Sequence, residues 1–290
     1  MSASRSVNTY PRVVNAMTVD VEDYFQVSAF EGVVDRDDWG RLPCRVEHNT
    51  DNILELFDGA DVKATFFMLG WVAERYPGLV RRIVEAGHEL ASHGYSHVRV
   101  TQQQPRAFSE DVSKTRKLLE DAAGCEVKGY RAASYSIVNE TLWAHDILQE
   151  AGYRYSSSVY PIHHDLYGIP DAPRFAYRHK DGGLLEIPVT TVSIFNHNLP
   201  CGGGGYFRLL PYRVSRWAMR RVNGLDRMSC VFYFHPWEID PAQPVQAGIS
   251  GKTRLRHYLN LRRMKTRIAR LLEDFSWDRM DNVFLAEGNV

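Results

Sequence analysis

From residue 13 onward, short apolar runs rich in β-branched and aromatic residues alternate with stretches whose apolar positions recur every three or four residues. The first kind reads as strands and the second as helices with one buried face. "RVVNAMTV", "VKATFFML", "HELASH", "EVKGYR" and "YRYSSS" are the predicted strands. The predicted helices between them are "VEHNTDNILELFDGAD", "YPGLVRRIVEAG", "PRAFSEDVSKTRKLLEDAAG" and "NETLWAHDILQEAG". Val46, Leu54 and Phe57 face inward in the first of these, and Gly87 stops the second. The third starts near Pro105, and Asn139 caps the last. Strand and helix in alternation predict an α/β fold, with a parallel sheet or barrel inside and helices outside.

Past residue 160 the regularity weakens. "YPIHHDLYGIPDAPR" reads as loop, followed by short strands at "FAYRH", "LLEIPV" and "TVSIF". "PYRVSRWAMRRVNG" reads as a helix and "SCVFYFH" as a buried strand. One long helix is expected over "LRHYLNLRRMKTRIARLLEDF", with Leu261, Met264, Ile268, Leu271 and Phe275 as its apolar stripe, and "VFLAEG" is a candidate closing strand. The run Gly202 to Gly205 reads as a mobile connection or a loop over a substrate. It lacks the Lys-Ser/Thr and the dinucleotide spacing that a phosphate cradle needs. No linker interrupts the chain, so a single domain over 1–290 is expected, with a barrel core over about 13–240 and a C-terminal extension over about 241–290.

Composition narrows the partners. Thirty-five basic residues balance thirty-five acidic ones, which gives no global field to recruit nucleic acid or an anionic membrane. Cys44, Cys125, Cys201 and Cys230 form no C-x-x-C pair, so free thiols in a reducing compartment are expected. "MSASRSVNTYPRVVNAM" contains neither a signal-peptide core nor a membrane span. A cytoplasmic enzyme without a transmembrane segment is the expectation.

The chemistry begins at "TVDVEDYFQV". In a strand, residues two apart share a face, so Asp20 and Glu22 point together and Asp23 points away. Two carboxylates on one face repel unless a cation or a shared proton lies between them. "ASHGYSHV" adds His93 and His97 at a spacing that puts both imidazoles on one side of a turn. Two imidazoles and a carboxylate leave coordination positions open, as in catalytic metal sites. Arg131 ends the strand "EVKGYR", and inside the mouth it pairs with Asp20. His235 ends "SCVFYFH". Singly, each of these has a plain structural explanation: a solvated strand end, a chance histidine pair, a surface arginine, a core histidine.

Taken together and in this order they resemble the polysaccharide deacetylases with the NodB-homology domain, carbohydrate esterase family four. The stretches "TVDVEDYFQV", "KATFFMLGWVAERYPGLVRRIVEAGHELASHGYSH", "YGIPDAPRF", "LLEIPV" and "FYFHPWEIDPAQP" are similar to a subfamily linked to exosortase (PEP-CTERM) exopolysaccharide loci. The resemblance implies a distorted (β/α) barrel and hydrolysis of an acetamido group on a sugar. It implies Asp20 as base toward metal-bound water and His93 and His97 as ligands of a divalent ion, usually Zn2+. Glu22 is the first choice for third ligand and Asp23 the reserve. It also implies an oxyanion donor among the N–H groups from Ala132 to Tyr135, with His235 as the acid and Glu186 keeping that imidazole charged. Tyr135, Tyr160 and Trp237 are the expected substrate contacts. The implied partner is an N-acetylated oligo- or polysaccharide or a lipid-linked precursor. Ala132 and Ala133 stand where the family commonly has a proline. Two rival readings are a cyclic amide or ureide hydrolase of the same fold and a catalytically weakened glycan-binding protein.

Overall fold

The computed structural model describes residues 13–164, 167–180 and 182–286. Most of the N-terminal stretch in which no signal peptide was read lies outside the described residues, as do Asp165 and Leu166 of the loop after residue 160.

The first half alternates as the pattern demands: β1 (Val14–Val21), α1 (Val46–Asp58), β2 (Thr65–Met68), α2 (Gly70–Arg75), α3 (Pro77–Glu85), β3 (Glu89–Ser92), α4 (Pro105–Ala123), β4 (Gly129–Tyr130), α5 (Ala144–Glu150) and β5 (Tyr155–Ser156). In β1 every residue from Asn15 to Val21 is buried, and β2 is buried throughout. Helices pack on the outer face of the parallel sheet and the strands' own side chains fill its inner face, which is why these strands are near-continuous apolar runs. Val46, Ile53 and Phe57 supply the buried stripe of α1, and Leu54 is only half-buried. The helix over 139–152 starts later than expected: a short 3-10 turn spans Asn139–Thr141, and its N-cap is Val138.

The second half adds β6 (Tyr177–Arg178), β7 (Leu185–Glu186), β8 (Thr191–Ile194), β9 (His197–Pro200), α6 (Gly204–Leu209), α7 (Tyr212–Arg221), β10 (Val231–Phe234), α8 (Gly251–Tyr258), α9 (Leu261–Asp274), β11 (Ser276–Asp278) and α10 (Met280–Phe284). The main sheet runs β10-β1-β2-β3-β4-β5-β7-β6, with β11 also paired to β1. All its pairings are parallel except β6 with β7. This is a distorted (β/α) barrel. Irregular chain stitches its seam between β7 and β10: Val189 N–H donates to Val159 O at 3.2 Å, Val231 N–H to Thr190 Oγ1 at 2.6 Å, and Tyr233 N–H to Gly202 O at 2.8 Å.

Three expectations are corrected here. The glycine run is no mobile loop, because Gly202, Gly203 and Gly204 are buried against β10. A Cβ on Gly203, whose φ is +123°, would lie 1.9 Å from Tyr233 O, so only glycine lets the chain close the seam. The long C-terminal helix is two helices, α8 and α9, broken at Asn260 with φ +58°. The predicted stripe is intact, but all of it lies at or beyond the break, with Leu261, Met264, Ile268, Leu271 and Phe275 buried. "VFLAEG" adds no strand within the described residues: Met280–Phe284 is helical, and the strand that joins the barrel is Ser276–Asp278, along the first residues of β1.

Candidate active site

β1 delivers Asp20 to the C-terminal mouth of the barrel, and β4 ends one residue before Arg131. Arg131 is wholly buried, and each nitrogen of its guanidinium donates at least one hydrogen bond. Nη1 donates to Asp20 Oδ1 at 2.6 Å and to Thr18 Oγ1 at 2.8 Å, Nε to Ser157 O at 3.2 Å, and Nη2 to Ser157 Oγ at 3.0 Å. The guanidinium carbon lies 4.0 Å from the Phe67 ring centroid. Asp20 is therefore oriented by a fixed positive charge in a dry setting.

Beside Asp20, atoms of Glu22, His93 and His97 converge within 4.8 Å of one another, and all three residues are buried. His93 faces Arg131 O with Nδ1 at 2.8 Å, which directs Nε2 elsewhere. Glu22 Oε2 lies 3.0 Å from His97 Nε2 yet has no hydrogen-bond partner. Burial lowers the pKa of His93, and burial, His93 and His235 hold His97 well below the ordinary imidazole value. Burial pushes the Glu22 carboxyl up to about 7, with Asp20 and Glu238 adding to the rise and His235 and Trp237 opposing it. Neutral imidazoles and a carboxylate short of positive charge are the donor set that a divalent cation satisfies, so the residues fit a metal ion.

His235 stands on the other side. Nε2 is 3.5 Å from Glu22 Oε1 and 3.9 Å from Asp20 Oδ2, while Nδ1 is 3.2 Å from Glu238 Oε2. Burial alone would lower its pKa, but Glu22, Glu238 and Asp20 outweigh it and raise the value to about 9. Glu238 also meets Arg208 Nε, at 2.6 Å, and Arg208 is tied to the His257 and Leu259 carbonyls at 2.7 and 3.1 Å. These groups open on a cavity of about 270 Å3 that Tyr135, Tyr167, Tyr233 and Trp237 also line. A cleft of about 390 Å3 between Tyr153, Arg178 and Phe284 carries none of them.

Known proteins were found to be similar over parts of the chain. Residues 37–156 match the family model described as polysaccharide deacetylase. Over that stretch the chain is similar to polysaccharide deacetylases. Residues 157–285 match a second model, described as a domain of unknown function (DUF3473). A peptidoglycan-N-acetylglucosamine deacetylase of Bacillus cereus is 35% identical over 96 residues, which are 33% of this chain and 35% of that protein. The matched region thus spans about a third of the length of that curated relative. A Mycobacterium smegmatis structure assigned to the polysaccharide deacetylases aligns over 97% of this chain and 92% of its own, with TM-score 0.62 and 22% identity. The PuuE allantoinase aligns over 100% of both chains, with TM-score 0.60 and 15% identity. At these identities the two structures speak for the barrel fold alone.

Three expected site residues lie elsewhere. Glu186 does not reach His235. Its Oε2 meets His145 Nε2 at 3.0 Å, and its Oε1 accepts the Ser158 and Val159 N–H groups at 2.8 Å each. The reason is register: β7 pairs with β5, so Glu186 sits opposite Ser156, away from β10. Glu238 takes the place expected of Glu186, and its signal was present in "HPWE", an acid three residues after the histidine. Asp23 turns from the metal atoms to hold the start of α1: Oδ1 accepts Tyr24 N–H at 2.8 Å, and Oδ2 accepts Arg45 and Val46 N–H at 2.6 and 2.9 Å. Tyr160 is buried behind Tyr135, with ring centroids 5.5 Å apart, and is not among the residues that line the cavity. Trp237 lines it and stacks between His235 and His257, at 5.2 and 4.2 Å, while its Nε1 donates to Glu22 Oε1 at 3.2 Å.

In the stretch Ala132 to Tyr135, two N–H groups are spent. Ala132 N–H donates to Ser158 Oγ at 2.9 Å and Tyr135 N–H to Ala132 O at 3.0 Å. Ser134 and Tyr135 both sit at positive φ, +53° and +51°. Strain of this kind in non-glycine residues gathers at functional sites. Among the described residues no helix is long and apolar enough to cross a membrane.

Proposed function

We propose that the protein is a metal-dependent hydrolase that removes N-acetyl groups from an amino sugar of an exopolysaccharide or its precursor. The observation that carries this reading is the Glu22, His93 and His97 cluster, set between a carboxylate locked to Arg131 and an imidazole backed by Glu238. A divalent ion held by Glu22, His93 and His97, zinc by the chemistry of its donors, would acidify water and polarise an amide carbonyl.

The chain's own residues supply the proton transfers. Asp20, oriented by Arg131, accepts a proton from the attacking water. As the water oxygen bonds to the acetyl carbon, the carbon–nitrogen bond must break with the electron pair going to nitrogen. An amine leaves only when protonated, and His235 donates from Nε2, the nitrogen that faces Asp20 and Glu22. Glu238 fixes Nδ1 and stabilises the imidazolium before the transfer. Acetate and a free amino sugar result. General acid and base help is worth roughly a hundred- to ten-thousandfold each.

No residue between 196 and 211 lines the cavity among the described residues, so the lid that a small cyclic amide would favour has no support. The four cysteines are free, in keeping with a reducing compartment and a cytoplasmic place of action. The test is a metal count by mass spectrometry on zinc-loaded, desalted wild type and His93→Ala, followed by acetate release from N-acetylated oligosaccharides. One ion per chain, lost in the variant, together with acetate release, is the expected result. A folded wild type that binds no ion overturns the mechanism and favours a glycan-binding protein.

A further inference from the structure

Arg99 follows His97 by two residues and lines the same cavity as the metal-ligating cluster, with 19% of its side chain exposed. Its Nη2 donates to Glu31 Oε2 at 2.9 Å. The other oxygen of Glu31 is taken by Arg36 Nη2 at 3.4 Å. Arg36 in turn braces the histidine loop through Ser96 O and His97 O, at 3.0 and 3.3 Å. Two guanidinium groups thus share one carboxylate, so Glu31 alone does not balance them. The Nε of Arg99 is buried with no hydrogen-bond partner. A buried donor left in that state is costly, and native proteins keep few of them.

Two hydroxyls line the cavity with it. Ser28 Oγ and Ser134 Oγ are 2.6 Å apart, and a single bond between two hydroxyls consumes one hydrogen and leaves the other to donate. Ser134 is one of the two residues held at positive φ. A guanidinium that retains donors, lining one cavity with a hydroxyl that is left to donate, is complementary to an anionic oxygen group.

We propose that Arg99, Ser28 and Ser134 form a subsite for a carboxylate carried by the substrate, which makes the preferred glycan an N-acetylated saccharide with a uronic acid next to the acetamido sugar. The inference deepens the deacetylase reading and rests on it. A charge-assisted bond of this kind contributes roughly 1.5–3 kcal/mol, about ten- to a hundredfold in affinity.

The test uses the zinc-loaded full chain with two tetrasaccharides, one alternating N-acetylglucosamine with glucuronic acid and the other N-acetylchitotetraose. Acetate release gives kcat and KM, and calorimetry gives Kd for each. Wild type is expected to favour the acidic tetrasaccharide by about tenfold or more, mainly through KM. In Arg99→Gln that ratio falls to near unity, and Arg99→Lys, which keeps the charge without the fork, retains part of it. Both variants are checked for one zinc per chain, so a misfolded protein is recognised, and the lysine variant then decides if the glutamine variant fails to fold. Equal kcat/KM for the two substrates in wild type, or a preference unchanged in both variants, overturns the subsite. If neither tetrasaccharide releases acetate, the deacetylase reading fails on its own. The Kd pair still judges the subsite: tighter binding of the acidic sugar that vanishes in Arg99→Gln upholds it, and equal binding overturns it.

Discussion

Glu238 grips His235 at two points: its Oε2 accepts the His235 backbone N–H at 3.1 Å and faces Nδ1 of the imidazole at 3.2 Å. Burial alone would raise the carboxyl pKa, but Arg208 and His235 outweigh it and hold the value at about 2, against an ordinary 4.5. A depressed carboxyl stabilises the fold fully above its unfolded value, and that share is lost as pH falls from 4.5 through about 2.

The share is on the order of 3 kcal/mol. In Glu238→Gln, urea unfolding at pH 7 should show a loss of roughly 3–5 kcal/mol, because Arg208 is left buried without its partner. Between pH 4.5 and pH 3 the wild type should lose stability more steeply than the variant. Parallel slopes would show that this carboxylate contributes nothing to the pH dependence.

The two acids that end the first strand should separate cleanly. Glu22→Gln removes the carboxylate from the triangle with His93 and His97, so stoichiometric zinc is lost. Burial raises the native carboxyl from 4.5 to about 7, so its charge costs stability at pH 7, and metal-free Glu22→Gln should be more stable than metal-free wild type by up to about 3 kcal/mol. Asp23→Asn puts an amide among three N–H donors and should cost roughly 2–4 kcal/mol in denaturant unfolding while one zinc stays bound. Zinc loss in the second variant would reverse the two roles.

Arg131→Lys keeps the charge and discards the fork. A single ammonium cannot serve Asp20, Thr18 and Ser157 together from one buried position. Acetate release should fall by about a hundredfold or more, in kcat rather than KM, since Asp20 would no longer be fixed. An unchanged kcat would mean that Asp20 needs no such anchor.

Neighbouring glycines make a paired test of the seam. Gly203→Ala places a methyl 1.9 Å from Tyr233 O at φ +123° and should lower stability by about 3 kcal/mol or more. Gly205→Ala meets only Arg208 Nη2, at 3.9 Å, inside α6, and should be neutral or stabilising by up to about 1 kcal/mol. Thermal melts of the pair give the answer, and equal melting temperatures would return the run to the status of a loose loop.

What the sequence made legible follows from these environments. β1, β3 and β10 are almost wholly buried, so β1 and β10 stand out as apolar runs, and Glu22, His93 and His235 just beyond the three strands mark the mouth. The break at Asn260 was hidden because the apolar stripe starts one residue later and stays in phase to Phe275. A glycine run has the same composition in a free loop and in a tight crossing, and only the position of Tyr233 tells them apart. Glu186 was misassigned because its partner depends on the pairing of β7 with β5, a long-range register that spacing does not encode. Arg99 drew no notice, since its neighbour Glu31 lies 68 residues away in sequence.

The junction of the two family matches falls between Ser156 and Ser157, on the hydrogen-bonded edge where β5 meets β7. Glu22 precedes both matches, His93 and His97 lie in the first, and His235 lies in the second. A chain cut at that junction would keep the imidazole pair and lose the opposing acid, and it would present β5 as a naked strand edge ready to pair with its own copies. The region described only as a domain of unknown function thus supplies the other wall of the barrel rather than an attachment to it.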